Sequence, residues 1–197
     1  MFRTFKADLS QYFAYSTNGR VGMREAVYAI LEPSLWAVAI FRFGKRVQHI
    51  SFPPIRKCLM VLYVFAYKFC ELATGIRISI DSEIGPGLVI HNFGGIIVHG
   101  TIGRNCFVNQ GSQMISRGDG AGAGWPTLGD NVYVGAGAKI VGNIRIGNNV
   151  RIGANAVVRR DVPDNSIVLP PQSTVKPLRT TPPLSRSAHA SRQAACD

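Results

Sequence analysis

The sequence has few acidic residues, few histidines and no long apolar run. Eleven acidic residues stand against 22 lysines and arginines, and the net charge is +11. A basic surface favours anionic partners such as a phosphorylated cofactor or a membrane surface. The basic residues are spread along the chain, and no helix-turn-helix, zinc-finger or RNA-binding motif is present. We therefore expect no nucleic acid partner.

Cysteine pairs and a secretory signal are also lacking. The four cysteines form no C-x-x-C motif, which favours free, buried thiols in a reducing cytoplasm. The first residues, MFRTFKADLSQYF, contain no uninterrupted apolar core, so we expect no signal peptide. The longest uncharged apolar run, residues 58–67, is too short to span a bilayer. These observations predict a cytoplasmic protein.

Residues 1–75 are predicted to be a helical segment. Two helices broken near Pro33 are expected within residues 23–47, and a third is expected over residues 55–72. We expect the third helix to pack on the rest of the protein or on another subunit. Because it carries aromatic residues and lysines, a peripheral contact of residues 55–72 with the inner face of the membrane is the alternative.

Apolar residues recur at every sixth position in two series, which we call ladders. One covers residues 78–114 and the other covers residues 128–158. The first ladder comprises Ile78, Ile84, Ile90, Ile96, Ile102, Val108 and Met114, and the second comprises Leu128, Val134, Ile140, Ile146, Ile152 and Val158. Six residues are a whole number of the two-residue periods of a strand, but they are not a whole number of the 3.6-residue turns of an α-helix. These side chains therefore share one face only in β structure. A fixed repeat of this length predicts a mainly β protein, with a parallel β-helix over residues 76–163 and glycines at its corners.

Two stretches interrupt or end this pattern. Met114 and Leu128 are fourteen residues apart, and the glycine-rich sequence between them predicts a loop at residues 115–127. After residue 163 the repeat decays. We expect an extended tail at residues 164–178 and a disordered tail at residues 179–197.

Three stretches within residues 36–163 carry a resemblance to a known family. They are GPGLVIHNFGGIIVHG, IGRNCFVNQGSQ and LGDNVYVGAGAKIVGNIRIGNNVRIGANAVV, which resemble the serine O-acetyltransferases of the hexapeptide-repeat transferase superfamily. The resemblance implies a left-handed coil with three hexapeptides per turn. It also implies a homotrimer or a dimer of trimers, with active sites in the clefts between coils. The implied reaction moves an acetyl group from acetyl-CoA to a hydroxyl without a metal.

That reaction needs a neutral imidazole that accepts the proton of the hydroxyl. The histidines of the coil are His91 and His99. The resemblance makes His91 the candidate base, although strict alignment places the family's histidine on Asn92. His99 is the second candidate.

The acceptor side departs from the family. Residues 124–126 read Gly-Trp-Pro where the family carries a histidine and an arginine that contact serine, and residues 77–79 read Arg-Ile-Ser where it carries an Asp-His pair. Trp125 on a glycine-rich loop suits stacking on a sugar ring. Trp125 and Arg77 are therefore the candidate acceptor contacts.

The donor side is better retained. The resemblance places the pantetheine arm of acetyl-CoA along small residues one coil turn apart, because small side chains allow a close approach to the backbone. These residues are Gly135, Ala136, Gly153 and Ala154. The candidates for the cofactor phosphates are Lys139, Arg159 and Lys176.

Several functions stay open at this point. The first is an acetyl-CoA-dependent O-acetyltransferase of the serine acetyltransferase type, which acts on L-serine or, alternatively, on a sugar hydroxyl in exopolysaccharide biosynthesis. The second is a scaffold protein with a decayed active site, which the asparagine at position 92 suggests. A zinc enzyme, as in the carbonic anhydrases of this architecture, needs three histidine ligands. Two coil histidines are too few, so we expect no metal.

Overall fold

A computed structural model describes residues 2–16, 22, 24, 27, 29, 31–118, 120 and 123–171. The structure gives the full extent of three helices in the N-terminal segment, α1 (Phe2–Ser16), α2 (Pro33–Gln48) and α3 (Pro53–Thr74). Most of the first helix predicted within residues 23–47 lies outside the described residues. Helices α2 and α3 both begin with proline, which has no N–H to leave unpaired in a first turn. Helix α2 thus begins at the predicted break, and α3 extends two residues beyond the predicted helix at each end.

The rest of the described chain winds into a parallel β-helix with three sheets. Sheet 1 comprises β1 (Ile76–Ile78), β4 (Ile96–Val98), β7 (Gln113–Ile115), β10 (Lys139–Val141) and β13 (Val157–Val158). Sheet 2 comprises β2 (Glu83–Ile84), β5 (Thr101–Ile102), β8 (Thr127–Leu128) and β11 (Arg145–Ile146). Sheet 3 comprises β3 (Val89–His91), β6 (Phe107–Asn109), β9 (Tyr133–Val134), β12 (Arg151–Ile152) and β14 (Ile167–Val168). The predicted parallel β-helix with an N-terminal helical segment is confirmed.

All thirteen ladder residues are buried inside this prism. Most of them stack 18 residues apart, as Ile84 on Ile102 and Val134 on Ile152 do. Three six-residue repeats therefore make one coil. Across the long loop the separation grows to 26 residues, as between Ile102 and Leu128, because eight extra residues leave the coil there.

The first coil departs from the six-residue ladder in a way that the sequence conceals. A step of 18 would stack Ile96 on Ile78, but Ile96 pairs with Ile76, and Val98 pairs with Ile78. The turn after β3 therefore contains two extra residues. A slip of two residues is one full strand period, so Ile96 still points inward and the ladder looks unbroken in the sequence.

The glycines that follow ladder residues act differently from the prediction. Gly85, Gly103 and Gly129 do not have left-handed φ values; a Cβ on Gly103 would instead lie 2.5 Å from the carbonyl oxygen of Gly129 on the next coil. These glycines are needed because stacked backbones approach closely. The left-handed positions of the turns are shared between asparagines, such as Asn131 and Asn149, and other glycines, such as Gly111 and Gly137.

The coil extends past residue 163, where the tail was predicted to begin. Strand β14 pairs with β12 in parallel and adds a further rung to sheet 3. Lys176 and the tail at residues 179–197 lie outside the described residues.

A buried ion pair attaches the first helix to the coil. Asp8 of α1 is fully buried and accepts hydrogen bonds from Arg42 of α2 at 2.9 and 3.1 Å. The same carboxylate accepts the backbone N–H groups of Gly87 and Leu88, while Arg42 donates to the Ile84 carbonyl at 2.6 Å. Side chains of α2 and α3 also join the apolar core of the first coil.

Among the described helices, none is both long enough and apolar enough to cross a membrane.

Candidate active site

His91 ends strand β3, where sheet 3 turns towards sheet 1. The enlarged turn that follows, residues 92–95, has left-handed φ at three of its four positions, including Asn92 at 64°. The half-buried His91 ring meets the ring of Tyr15 from α1 edge-on, with centroids 5.2 Å apart. None of the described residues forms a hydrogen bond with the His91 imidazole. Packing against Tyr15 is therefore the contact that orients this candidate base.

The turns that link sheet 3 to sheet 1 stack into a continuous strip, which we call the His91 edge. It comprises residues 92–95, 110–112, 135–138 and 153–156. Backbone hydrogen bonds join the successive turns: Gly111 donates to the carbonyl of Gly94 at 2.9 Å, and Asn155 donates to that of Ala136 at 2.8 Å. Apart from Phe93, Gln110 and two asparagines, the strip consists of glycine, alanine and serine, so a ligand can lie close to its backbone there.

The predicted donor contacts on this edge have two different roles. A Cβ on Gly135 would lie 2.6 Å from the Ala154 backbone nitrogen, and one on Gly153 would lie 3.0 Å from Pro170. These two glycines are therefore required by coil stacking. Ala136 is half-buried and Ala154 is exposed, so these two present their side chains to a ligand.

The predicted phosphate contacts do not group together. Lys139 begins β10 directly after the His91 edge, and its ammonium donates to the Gln113 side-chain oxygen at 3.2 Å. Arg159 is exposed and follows β13, which places it at the opposite margin of sheet 1.

That opposite margin, where sheet 1 turns towards sheet 2, is the His99 edge. Among the described residues it comprises 79–82, 99–100, 116–118, 120, 123–126, 142–144 and 159–161. His99 directly follows β4. Its ring stacks on the indole of Trp125, with centroids 3.4 Å apart and planes 7° apart. Burial lowers the pKa of His99, an effect that Arg77 strengthens and Asp81 opposes. His99 is therefore a neutral imidazole at neutral pH, as a general base must be.

A cleft of about 560 Å³ opens beside this stacked pair, between α3 and sheet 1. Its walls are formed by Tyr63, Val64, Tyr67, Lys68, Arg77, Ser79, Ile80, Ile97, His99, Ile115 and Trp125. Burial raises the pKa of Tyr63 to about 12, with further contributions from Tyr67 and Asp81. The phenol therefore stays protonated and can donate a hydrogen bond. A cleft of rings with a few polar groups suits a small hydroxyl compound.

The structure brings only some of the predicted site residues together. Arg77, His99 and Trp125 line one cleft, whereas His91 and Asn92 do not line it. Strand β4 separates the two groups, because His91 precedes it and His99 follows it. Within one chain the His91 edge and the His99 edge thus lie on opposite margins of sheet 1.

Three aromatic residues at these sites were not predicted from the sequence: Tyr15, Tyr63 and Tyr67. Tyr63 and Tyr67 have the i, i+4 spacing that places two rings on one helix face, and this signal could have identified them. No local signal marks Tyr15. Its contact with His91 depends on how α1 docks, and that docking depends on the ion pair between Asp8 and Arg42.

No cluster of three histidine, cysteine or acidic side chains suited to a metal occurs among the residues for which the structure gives positions.

Comparison with known proteins gives a consistent result. Residues 126–160 match the family model for the bacterial transferase hexapeptide, six repeats. A serine acetyltransferase of Synechococcus elongatus is 34% identical over 171 residues, which are 86% of this chain and 66% of that protein. The chain thus spans just under two thirds of the length of this relative.

Two further similarities cover more of the other protein. A serine acetyltransferase of Helicobacter pylori is 36% identical over 139 residues, which are 70% of this chain and 77% of that protein. The crystal structure of Neisseria gonorrhoeae serine acetyltransferase in complex with serine superimposes with a TM-score of 0.69 at 25% identity. The superposition covers 89% of this chain and 68% of the Neisseria gonorrhoeae chain.

Proposed function

The chain belongs to the serine acetyltransferase family, and from that premise we propose that it is an acetyl-CoA-dependent O-acetyltransferase acting on the hydroxyl of L-serine. The observation that carries the proposal is the strip of small residues on the His91 edge. It begins at the turn that follows the candidate base, and its glycines at 94, 111 and 137 have left-handed φ values. A side chain is disfavoured at these three positions, which lets an extended ligand lie against the backbone there.

This proposal assigns a role to each of four residues. Ala136 and Ala154 hold the pantetheine arm, and Lys139 lies beside the strip, where its positive charge can attract a phosphate. His91 accepts the proton of the acceptor hydroxyl as the hydroxyl oxygen bonds to the acetyl carbonyl carbon. Acetyl-CoA, when bound, supplies the acetyl group as a thioester, and the sulfur leaves with a proton as the CoA thiol. The products are the O-acetyl ester and CoA.

We further propose that the complete site forms between neighbouring copies in a homotrimer. One copy contributes the His91 edge and the next contributes the His99 edge, with Trp125 and Arg77 facing the acceptor. The separation of these edges within one chain supports this arrangement. We place the enzyme in the cytoplasm.

A sugar hydroxyl, as in exopolysaccharide biosynthesis, is the second candidate acceptor. The cleft beside His99 favours it, because Trp125, Tyr63 and Tyr67 provide ring surfaces and phenol hydroxyls. The exposed Arg77 guanidinium, at 3.6 Å from the Glu71 carboxylate, remains accessible to an acidic group. The alternative of a catalytically decayed scaffold predicts no turnover with any acceptor.

Release of CoA from acetyl-CoA separates these proposals. L-Serine and a panel of mono- and oligosaccharides would be offered to purified protein, and the acetylated product identified by mass spectrometry. Serine-dependent release confirms the first proposal, and release only with saccharides replaces it with the second. If no acceptor supports turnover and calorimetry detects no CoA binding, the protein is a scaffold.

Mixing two impaired variants, assayed at an acceptor concentration well below the KM, tests the shared site. His91→Ala and Trp125→Ala impair different edges, so a mixed trimer contains some sites with both edges intact. Co-expression in equal amounts should restore about a quarter of the wild-type activity, since each site draws one edge from each of two chains. Recovery no greater than the average of the two variants would show that one chain supplies the whole site.

A further inference from the structure

Helix α3 presents an apolar face to solvent. Its exposed apolar side chains recur at helical spacing: Val61, Leu62, Phe65, Phe69 and Leu72. Phe65, Phe69 and Leu72 are 71%, 69% and 87% exposed. A surface helix normally turns polar residues outward, and a contiguous apolar strip marks a contact with another surface. We call this strip the α3 face.

Basic residues flank the α3 face. Arg56 and Lys57 are exposed in the first turn of the helix, and Lys68 is exposed beside Phe69. Glu71 is the sole acidic residue of the helix, and its carboxylate pairs with the Lys68 ammonium at 2.8 Å. Positive charge is therefore in excess around the strip, as in the whole chain with its net charge of +11.

We propose that α3 docks the protein on an anionic membrane surface. The helix lies in the plane of the interface, with Phe65, Phe69 and Leu72 among the acyl chains and its basic residues at the headgroups. Since none of the described helices can cross a bilayer, the contact is peripheral. A two-fold pairing of α3 faces from two copies suits this surface less well, because it would bring the same basic residues to one contact.

The opposite side of α3 faces the cleft beside His99. Tyr63 and Tyr67 point towards sheet 1, while Val64 and Lys68 line the cleft and are also exposed. Docking would therefore hold the cleft next to the headgroups, where a membrane-anchored hydroxyl acceptor could reach it. This consequence rests on the proposed function; the docking itself does not.

Co-sedimentation of the full chain with vesicles tests the docking without any assay of activity. Vesicles of phosphatidylcholine alone are compared with vesicles that also contain phosphatidylglycerol. We expect at least about tenfold tighter binding to the anionic vesicles, and a fall of similar size in the variant that combines Arg56→Glu with Lys57→Glu. Higher salt should weaken binding of the wild type.

Removing apolar side chains from two surfaces provides the matched comparison. The Phe65→Ser, Phe69→Ser variant should lose at least about tenfold in affinity for anionic vesicles. Val157→Ser with Leu169→Ser removes two exposed apolar side chains from the coil and should bind as the wild type does. Circular dichroism checks that each variant is folded.

Three results would overturn the proposal. The first is wild-type protein that binds anionic vesicles no better than neutral ones. The second is a coil variant that loses as much binding as the helix variant. The third is a smaller oligomer, by light scattering, for the Phe65→Ser, Phe69→Ser variant without vesicle binding by the wild type. That result would make the α3 face an interface between copies.

Discussion

The imidazole of His99 and the indole of Trp125 lie face to face, with centroids 3.4 Å apart, although the two residues belong to different coils. The contact attaches the glycine-rich loop to the end of β4. It also removes water from one face of His99, which agrees with the lowered pKa of that side chain. The pair thus links the acceptor loop to a neutral imidazole.

Trp125→Ala should raise the pKa of His99 towards its ordinary value of 6.5, because the exposed ring would again be stabilised by water when charged. Proton NMR of the imidazole signals measures this titration, and the His49 signal in the same spectra is the internal control. The same substitution should raise the KM for the acceptor more than it lowers kcat. An unchanged His99 titration would contradict the assigned role of the stacked indole.

The lowered pKa of His99 also predicts how stability depends on pH. The unfolded chain binds this proton more readily than the folded protein, so stability rises with pH. The contribution is complete above the unfolded pKa of about 6.5 and is lost as the pH falls below it. Urea unfolding of the wild type and of His99→Gln, on either side of that pH, should show a smaller loss on acidification in the variant.

His91→Ala should lower kcat by about 10² to 10⁴, the usual contribution of a general base. His91→Gln keeps much of the side-chain shape and should be as inactive, because its amide cannot accept the proton. His49→Ala, directly after α2 and away from both edges, is the control and should keep full activity. Turnover that survives in His91→Ala and is lost in His99→Ala would transfer the role of base to His99.

Ala136→Leu should weaken CoA binding at least about tenfold, because the added atoms would fill the strip on which the pantetheine arm is proposed to lie. Calorimetry with CoA measures this without turnover. Ala73→Leu places the same larger side chain at an exposed position of α3 and should leave CoA binding unchanged. Equal affinity in the Ala136→Leu variant would remove this strip from the donor site.

Asp8→Ala should destabilise the protein by about 3–5 kcal/mol, because it leaves the buried Arg42 guanidinium without its partner. Glu83→Gln breaks an exposed pair with Lys45, whose atoms are 2.7 Å apart, and should cost less than about 1 kcal/mol. Denaturant unfolding followed by circular dichroism gives both values. A loss in Asp8→Ala no larger than in Glu83→Gln would show that the buried pair does not hold α1 in place.

The sequence was sufficient for the architecture of the coil. Whether a side chain points inward or outward depends on a two-residue alternation, and the six-residue ladder encodes this locally. The same locality explains why the ladder missed the slip at residues 92–95, since a shift of two residues preserves every orientation. It also explains why the sequence predicted the corner glycines without the reason for them: the lack of space for a side chain arises from the next coil, which the local sequence does not represent.

The tertiary structure alone decided which chemical groups meet. Tyr15 meets His91 because the ion pair between Asp8 and Arg42 docks α1 on the coil. Trp125 meets His99 because the coil resumes after the long loop in the register that pairs Thr101 with Thr127. Neither the docking of α1 nor the length of the loop is set by the six-residue period. Both contacts depend on how helices and coils pack in three dimensions, and the sequence pattern carries no record of that packing.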